Sequence, residues 1–319
     1  MKRIMILDGT NNFVRCWIVN PALSSHGNPI GGLFGFLKSL QKLIRETKPD
    51  EIVICWDGEG GSQRRRNQNK DYKAGRKPLR LNRSAANLSE DQEKENKWWQ
   101  QLRLIEYLNQ LPITQLMLSN VEADDVIAFV AQYPKYKDYQ KVIVSSDKDF
   151  LQLCSGKTLL LRPIQKQLLN ENRIVEEYGI HPNNFALARA ICGDTSDNIK
   201  GIPGVGLKTV AKRFPFMRES DFATIDAIMD YCEEEERKLL IHQKILDGKD
   251  KIRDNYKMMQ LYAPTISAQG THQLREKVDN TSRIFNKTEI TSMMFKDGVG
   301  EYNWSEMWSH FNKIVWDQE

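Results

Sequence analysis

Three short runs of β-favouring apolar residues, each closing on aspartate, constrain this chain more than any other feature. Lys2 to Leu7 ends at Asp8, and Glu51-Ile52-Val53-Ile54-Cys55-Trp56 ends at Asp57. Lys141-Val142-Ile143-Val144 passes through Ser145-Ser146 to Asp147 and Asp149. Each run is about a strand long and is separated from the next by segments of helical spacing, the pattern of βαβ units around a parallel sheet. Leu33, Phe36, Leu37, Leu40 and Ile44 predict a helix between the first two strands. Trp98, Leu102, Ile105 and Leu108 predict the apolar stripe of another, opened by a capping box of Ser89 and Gln92. A further helix is expected from near Glu122 through Val126, Ile127 and Val130. From residue 174 the pattern is helical, interrupted by a Gly/Pro-rich stretch from Gly193 to Gly206.

Open α/β sheets bind ligands outside the carboxyl ends of their strands, so the three aspartate endings are expected on one edge. Ordinary turn aspartates are the plain alternative. Asp147 and Asp149 project to the same side if their strand persists. Glu122-Ala123-Asp124-Asp125 complements a helix dipole, which alone explains such a run, yet it leads into the helix before the Asp147 strand and so lies near the same edge. Asp194 and Asp197 follow at the glycine-rich interruption. Nine carboxylates gathered there repel one another unless a cation sits among them. His26, His181, His242, His272 and His310 do not cluster in the sequence. All-oxygen ligation selects a hard cation, Mg²⁺ or Mn²⁺ in its place, and points to a two-metal phosphodiester hydrolase.

The charge balance fits a polyanionic partner only locally. The net charge of +4 on 319 residues is small, but Gly58 to Arg83 carries Arg64, Arg65, Arg66, Lys70, Lys73, Arg76, Lys77, Arg80 and Arg83 against Glu59 and Asp71. With almost nothing apolar, this segment is expected to stay unordered until a phosphate backbone binds; a solvated charged loop is the alternative. Gly201-Ile202-Pro203-Gly204-Val205-Gly206-Leu207-Lys208-Thr209 is not a P-loop, because Leu207 separates glycine from the Lys-Thr pair and no predicted strand precedes it. It fits a helix-hairpin-helix that grips a DNA phosphate through backbone amides, with Lys208, Lys212 and Arg213 on the second helix, or else a plain αα corner. Five separated cysteines without a Cys-x-x-Cys pair imply a reducing, cytoplasmic setting. No run of 18 apolar residues occurs, so neither secretion nor membrane insertion is expected.

Leu7-Asp8-Gly9-Thr10-Asn11, Val121-Glu122-Ala123-Asp124-Asp125, Ser146 to Leu153 and Gly193 to Gly206 together resemble the structure-specific 5′ nucleases. That family takes in flap endonucleases, phage 5′ nucleases and the N-terminal nuclease domain of bacterial DNA polymerase I. The similarity covers about residues 1 to 215, in the family's order. It implies a PIN-like α/β nuclease core over 1–175, with a central mainly parallel sheet flanked by helices and a basic helical arch at about 58–100. A helical DNA-binding region over 176–319 follows, with the helix-hairpin-helix at about 185–215.

The resemblance also implies roles. Asp8, Asp57, Glu122, Asp124, Asp147, Asp149 and Asp194 would ligate two Mg²⁺ directly or through water, with Asp125 and Asp197 completing the acidic cluster. Lys73 and Arg76 would act on the scissile phosphate, and Tyr72 would stack on a base. Arg15, Arg64, Arg65, Arg66 and Lys70, together with Gly201, Gly204, Gly206, Lys208, Thr209 and Lys212, would hold DNA, with a K⁺ at the glycine turn. The implied activity is Mg²⁺-dependent 5′→3′ exonuclease, flap endonuclease and RNase H cleavage of branched or nicked DNA and RNA–DNA hybrids in replication or repair. The implied protein is a monomer that meets replication proteins such as single-strand binding protein or a clamp. A phage origin, and so a host cytoplasm, fits the weakly matching C-terminal third, where Trp304, Trp308 and Trp316 read as core. A PIN-like ribonuclease and a non-catalytic junction-binding protein are the competing readings.

Overall fold

The computed structural model describes residues 1–74, 81, 88–235, 239–300 and 302–316. Its centre is a sheet of β1 (Arg3–Asp8), β2 (Glu51–Trp56), β3 (Thr114–Met117), β4 (Gln140–Val144), β5 (Thr158–Arg162) and β6 (Gln167–Leu169), ordered β3-β2-β1-β4-β5-β6. The first five strands run parallel and β6 turns back antiparallel on β5. The chain builds outward from β1 to β3 on one side and then crosses to β4 on the other. The order therefore reverses beside β1, and a crevice opens at its carboxyl end.

The strands read as continuous apolar runs because helices cover both faces. Ile4, Ile6, Val53, Cys55 and Ile143 face one core; Met5, Leu7, Ile52, Ile54, Val142 and Val144 face the other. The period-2 alternation thus sorts two apolar faces rather than an inside from an outside. In chain order the helices are α1 (Gly9–Val19), α2 (Gly31–Thr47), α3 (Gln63–Gln68), α4 (Glu90–Leu108), α5 (Ala123–Gln132), α6 (Glu171–Tyr178), α7 (Pro182–Cys192) and α8 (Leu207–Arg213). There follow α9 (Ile225–Glu234), α10 (Leu240–Asp247), α11 (Lys249–Met259), α12 (Ala268–Asp279), α13 (Lys287–Lys296) and α14 (Ser305–Trp316). A small hairpin, β7 (Gly193–Asp194) with β8 (Ile199–Lys200), sits between α7 and α8.

The helices over 33–44 and from 123 form as the spacing predicts, and Ser89 with Gln92 closes a reciprocal capping box. The stripe predicted on α4 holds only at its C-terminal end: Leu108 is buried and Ile105 half-buried, but Trp98 and Leu102 are 65% and 53% exposed, and the helix buries Gln100, Leu104 and Tyr107 in their place. The rotation follows from a polar requirement: α2 opens on two glycines with no side-chain cap, and the Gln100 amide oxygen accepts the Leu33 N–H at 3.1 Å. The strand before Asp147 also stops short, at Val144, and Asp149 begins a 3₁₀ turn over Asp149–Leu153.

The C-terminal helices are part of the same core. Ile290, Met294, Met307 and Phe311 of α13 and α14 pack with Leu37, Leu40 and Val142, and Trp304 stacks on Trp308 with centroids 4.4 Å apart. Arg103 and Tyr107 of α4 both donate to Asp297, beyond α13. Phe311→Ala is expected to cost about 3–5 kcal/mol, the range for a buried aromatic. Urea unfolding followed by circular dichroism and by tryptophan fluorescence should show one shifted transition. Two separate transitions would contradict a shared core.

Candidate active site

Each acidic side chain is delivered by a strand end or a helix start around the crevice. Asp8 closes β1 and caps α1, its Oδ1 accepting the Asn11 N–H at 3.0 Å. Its Oδ2 accepts from Ser145 Oγ at 2.9 Å, and the same Oγ accepts the Asp147 N–H at 3.1 Å. Ser145, which sequence reasoning passed over, therefore ties the ends of β1 and β4 together. Asp57 follows β2, and its Oδ1 accepts the Ala123 N–H at 2.8 Å, which fixes the first turn of α5. Asp124 and Asp125 stand in that turn. Asp8, Asp57, Asp124, Asp147 and Asp197 line one cleft of about 450 Å³ together with Arg15 and Lys73.

The electrostatics divide the acids into two sets. Burial, with Asp57 and Asp147 adding repulsion, pushes the Asp8 carboxyl up to about 7 in spite of its two hydrogen bonds. Burial and then Asp147 push Asp149 up to about 7, with Arg189 opposing. Burial, Asp147 and Asp8 drive Asp124 well above the carboxylate range, and burial, with Asp197 adding repulsion, raises Asp147. In the second set burial is outweighed: Arg65 and Lys73 hold Glu122 below its ordinary value, and Arg189 with Ser196 does the same for Asp194.

Protein cations latch the second set and reach Asp125 and Asp149 as well. Arg65 is buried, pairs with Glu122 and with Asp125 Oδ2 at 3.2 Å, and donates through Nε to Met258 O at 3.1 Å. Lys73 Nζ meets Glu122 Oε1 at 2.5 Å and the Tyr72 hydroxyl donates to Glu122 Oε2 at 3.1 Å. Arg189 of α7, not singled out in the sequence, pairs with Asp149 at 3.2 Å and with Asp194. Among the described residues no three His, Cys, Asp or Glu side chains form a group that could hold an ion as they stand. The donor chemistry nevertheless fits a hard cation: the potential ligands among the described residues of the cleft are oxygens, those of five aspartates with Thr10, Asn11 and Ser146, and crowding drives several of these carboxyls above their ordinary range.

α3 and the turn after it dock through Arg65 and Tyr72, and two expectations for the basic segment need correction. Arg65 is not a DNA contact, since its guanidinium is spent on protein carboxylates. Tyr72 is 3% exposed among Ile199, Met258 and Met259, so its ring is not presented for stacking. Arg66 and Lys70 are exposed and Arg64 and Arg15 half-buried; Arg76, Lys77, Arg80 and Arg83 lie outside the described residues.

At the glycine-rich stretch, α7 is followed by the β7–β8 hairpin, the glycine turn and α8. Gly201 packs where an added Cβ would lie 2.1 Å from Cys192 O, and Gly204 takes φ +83° with nothing near it. Gly206 caps α8, whose Lys208 and Lys212 are exposed and whose Thr209 is half-buried. Lys200 and Lys251 of α11 line the same hollow as Gly201, Gly204 and Gly206, and neither was picked out from the sequence.

The model of the family described as 5′-3′ exonuclease, N-terminal resolvase-like domain, matches residues 3–179. The chain belongs to the 5′-3′ exonuclease family. A 5′-3′ exonuclease of Aquifex aeolicus (strain VF5) is 28% identical over 299 residues, covering 92% of this chain and 93% of the relative. The thermostable DNA polymerase I of Thermus aquaticus is 30% identical over 253 residues, 79% of this chain but 27% of the polymerase. Among solved structures, the bacteriophage T5 5′-exonuclease with bound zinc superposes with a TM-score of 0.67 at 19% identity, over 89% of this chain and 100% of that one. That likeness is one of fold, and it matches the mainly parallel sheet flanked by helices. No helix among the described residues of this 5′-3′ exonuclease is long and apolar enough to cross a membrane.

Asp8 and Asp149 bind protons near pH 7 in the folded chain, whereas the unfolded carboxyl does so near 3.8. Native stability from these groups is therefore highest below about pH 4 and is lost as pH rises through about 7. Between pH 8 and pH 6 the thermal midpoint of metal-free protein should rise by a few degrees on acidification. Asp8→Asn should raise the midpoint at pH 8 and flatten the slope. A wild-type midpoint indifferent to pH over that range would refute the assignment.

Proposed function

We propose that this exonuclease-family chain is a Mg²⁺-dependent, structure-specific 5′ nuclease, a 5′→3′ exonuclease and flap endonuclease that also removes RNA primers through RNase H activity. What carries the reading is the cleft itself: crowded carboxylates at the point where strand order reverses, with the Lys73 ammonium in the same hollow. Asp8, Asp57, Asp124, Asp147 and Asp197 would hold divalent metal, and Glu122, Asp149 and Asp194 would complete the set, with Asp125 behind them. When bound, two such ions, Mg²⁺ or Mn²⁺ in its place, supply activation of water and neutralisation of the leaving oxygen.

The chain's own residues do the rest. Lys73 holds a positive charge where a scissile phosphate would arrive and stabilises its developing charge. Arg66 and Lys70, exposed, with Arg64 and Arg15 at the edge, bind the 5′ strand through its phosphates; Arg76 is assigned to the scissile phosphate beside Lys73 from the sequence alone. Gly201, Gly204 and Gly206 let backbone approach a duplex phosphate, flanked by Lys208, Thr209 and Lys212, and the turn is the proposed K⁺ site. Lys200 and Lys251 extend that grip. The division near residue 175 is proposed as one of role, most of the metal-holding acids before it and duplex binding after it, with Asp194 and Asp197 reaching back to the cleft, within one monomer. DNA-bound relatives support DNA as ligand: one solved T5 flap endonuclease complex contains DNA and metal ions. RNA–DNA hybrids, single-strand binding protein and a clamp are proposed partners.

The test is cleavage of a 5′-flap duplex labelled at both ends, in Mg²⁺ or EDTA. Cutting near the flap junction in Mg²⁺ alone is expected, and Asp147→Asn should lower it by about 10²-fold or more with binding kept, as should Lys73→Ala. Cleavage confined to single-stranded RNA, or tight junction binding without cleavage, would sink the reading. Lys251→Ala should weaken duplex binding at every sequence alike and reduce the slope of log K against log salt by about 1. An unchanged slope would remove Lys251 from the phosphate grip.

A further inference from the structure

We infer that Asn198 is a positioning residue for Lys73, joining the segment that presents this cation over the acidic cleft to the hairpin that leads into the glycine turn. The inference rests on the reading of Lys73 as the phosphate-stabilising group.

Residues 71–73 lie along residues 197–199, held by two hydrogen bonds that run in opposite directions. The Lys73 N–H donates to Asp197 O at 2.9 Å, and Asn198 Nδ2 donates to Asp71 O at 2.9 Å. Lys73 and Asn198 both adopt the left-handed backbone region, with φ of 56° and 57°. That conformation is uncommon for a side chain such as lysine and persists only where neighbours dictate it. Between the two bonds Tyr72 is buried against Ile199. The course of the backbone at Lys73, and hence the reach of its ammonium to Glu122, is therefore set from the hairpin.

The other side of the joint is itself fixed. Asp194 pairs with Ile199 in the hairpin, and Lys200 O accepts from Asn255 Nδ2 of α11 at 3.1 Å. The same amide donates to Ala190 O of α7 at 2.9 Å. α7, α11 and the hairpin thus form one rigid support that also bounds the glycine turn. Of the two bonds crossing from this support to residues 71–73, the Asn198 amide is the one that a side-chain substitution can remove. Without it the strap keeps one backbone bond to the hairpin beside the packing of Tyr72 and the contacts to Glu122, and a cation misplaced by about 1 Å loses much of its effect on rate.

Single-turnover cleavage of a 5′-flap duplex, alongside its dissociation constant, tests this. Asn198→Gly keeps the positive φ without strain and deletes only the amide. Its cleavage should be between about tenfold and a hundredfold slower, with the dissociation constant within about twofold of wild type. In a Lys73→Ala background the same substitution should change nothing further. Asn198→Asp, which keeps the shape but loses the donor, should be as slow as Asn198→Gly. The inference is overturned if Asn198→Gly slows the Lys73→Ala enzyme by its full factor, if the loss appears in binding, or if Asn198→Asp cleaves at the wild-type rate. Failure of the underlying reading looks different: Lys73→Ala itself would then cleave like wild type.

Discussion

Like-charge crowding at the carboxyl edge of the sheet organises this molecule. Parallel pairing of β1, β2 and β4 brings their aspartate ends to one place, and the reversal of strand order beside β1 opens a crevice there. Two unit charges 4 Å apart at an effective dielectric of 20 interact by about 4 kcal/mol, so several carboxylates cannot share such a site unanswered. The fold answers in two ways. Glu122, Asp125, Asp149 and Asp194 face Arg65, Arg64, Lys73 and Arg189 from neighbouring elements. Among the described residues Asp8 and Asp124 make no ion pair, and burial with like-charge crowding raises their carboxyls, as burial also raises Asp125 and Asp149 in spite of their arginines. The first group keeps the surrounding elements docked, and the second keeps a demand for positive charge inside the cleft.

That division explains why the basic segment is only partly a ligand surface. Arg65 is buried between two carboxylates and a backbone carbonyl of α11, and leaving a buried charge unpaired typically costs about 3–5 kcal/mol. It therefore pins α3 to the catalytic face, and the exposed Arg66 and Lys70 are displayed from a fixed base. α11 receives this contact at Met258, a Gln152 amide contact at Met259, and the Asn255 link to the hairpin. One helix thus touches the latch, the 3₁₀ turn bearing Asp149 and the support of the glycine turn.

Much of this was legible in the sequence because the strands are buried on both faces. Such strands leave unbroken apolar runs whose aspartate endings stand out, and α2 and α5 have plain 3.6-residue periods. Shorter elements carried less signal: Thr114–Met117 is too brief to separate from a loop, and β5 and β6 pair at the far edge. The errors share one cause, a polar side chain with a distant partner. Gln100 turns α4 because it serves an amide of α2, and Arg65 is spent on Glu122, 57 residues away. Local composition announces that a guanidinium is present but not which anion it meets. Arg189 and Ser145 escaped notice for the same reason, being unremarkable in a window and decisive in the fold.

The pairing of Lys73 with Glu122 bears directly on how an anion would enter. A free ammonium above the cleft would be fully hydrated, and an incoming phosphate would have to strip that water. Here burial alone would lower the Lys73 pKa, but Glu122 and Asp124 outweigh it and raise it, so the charge is retained in a partly dry place. On the proposed reading a phosphate arriving at Lys73 exchanges one oxyanion partner for another and meets a cation already desolvated and oriented. The same exchange would free Glu122 from one of its two cations. A single contact thereby links arrival of the substrate to completion of the carboxylate set, and it does so only because residues 71–73 are held where the hairpin puts them.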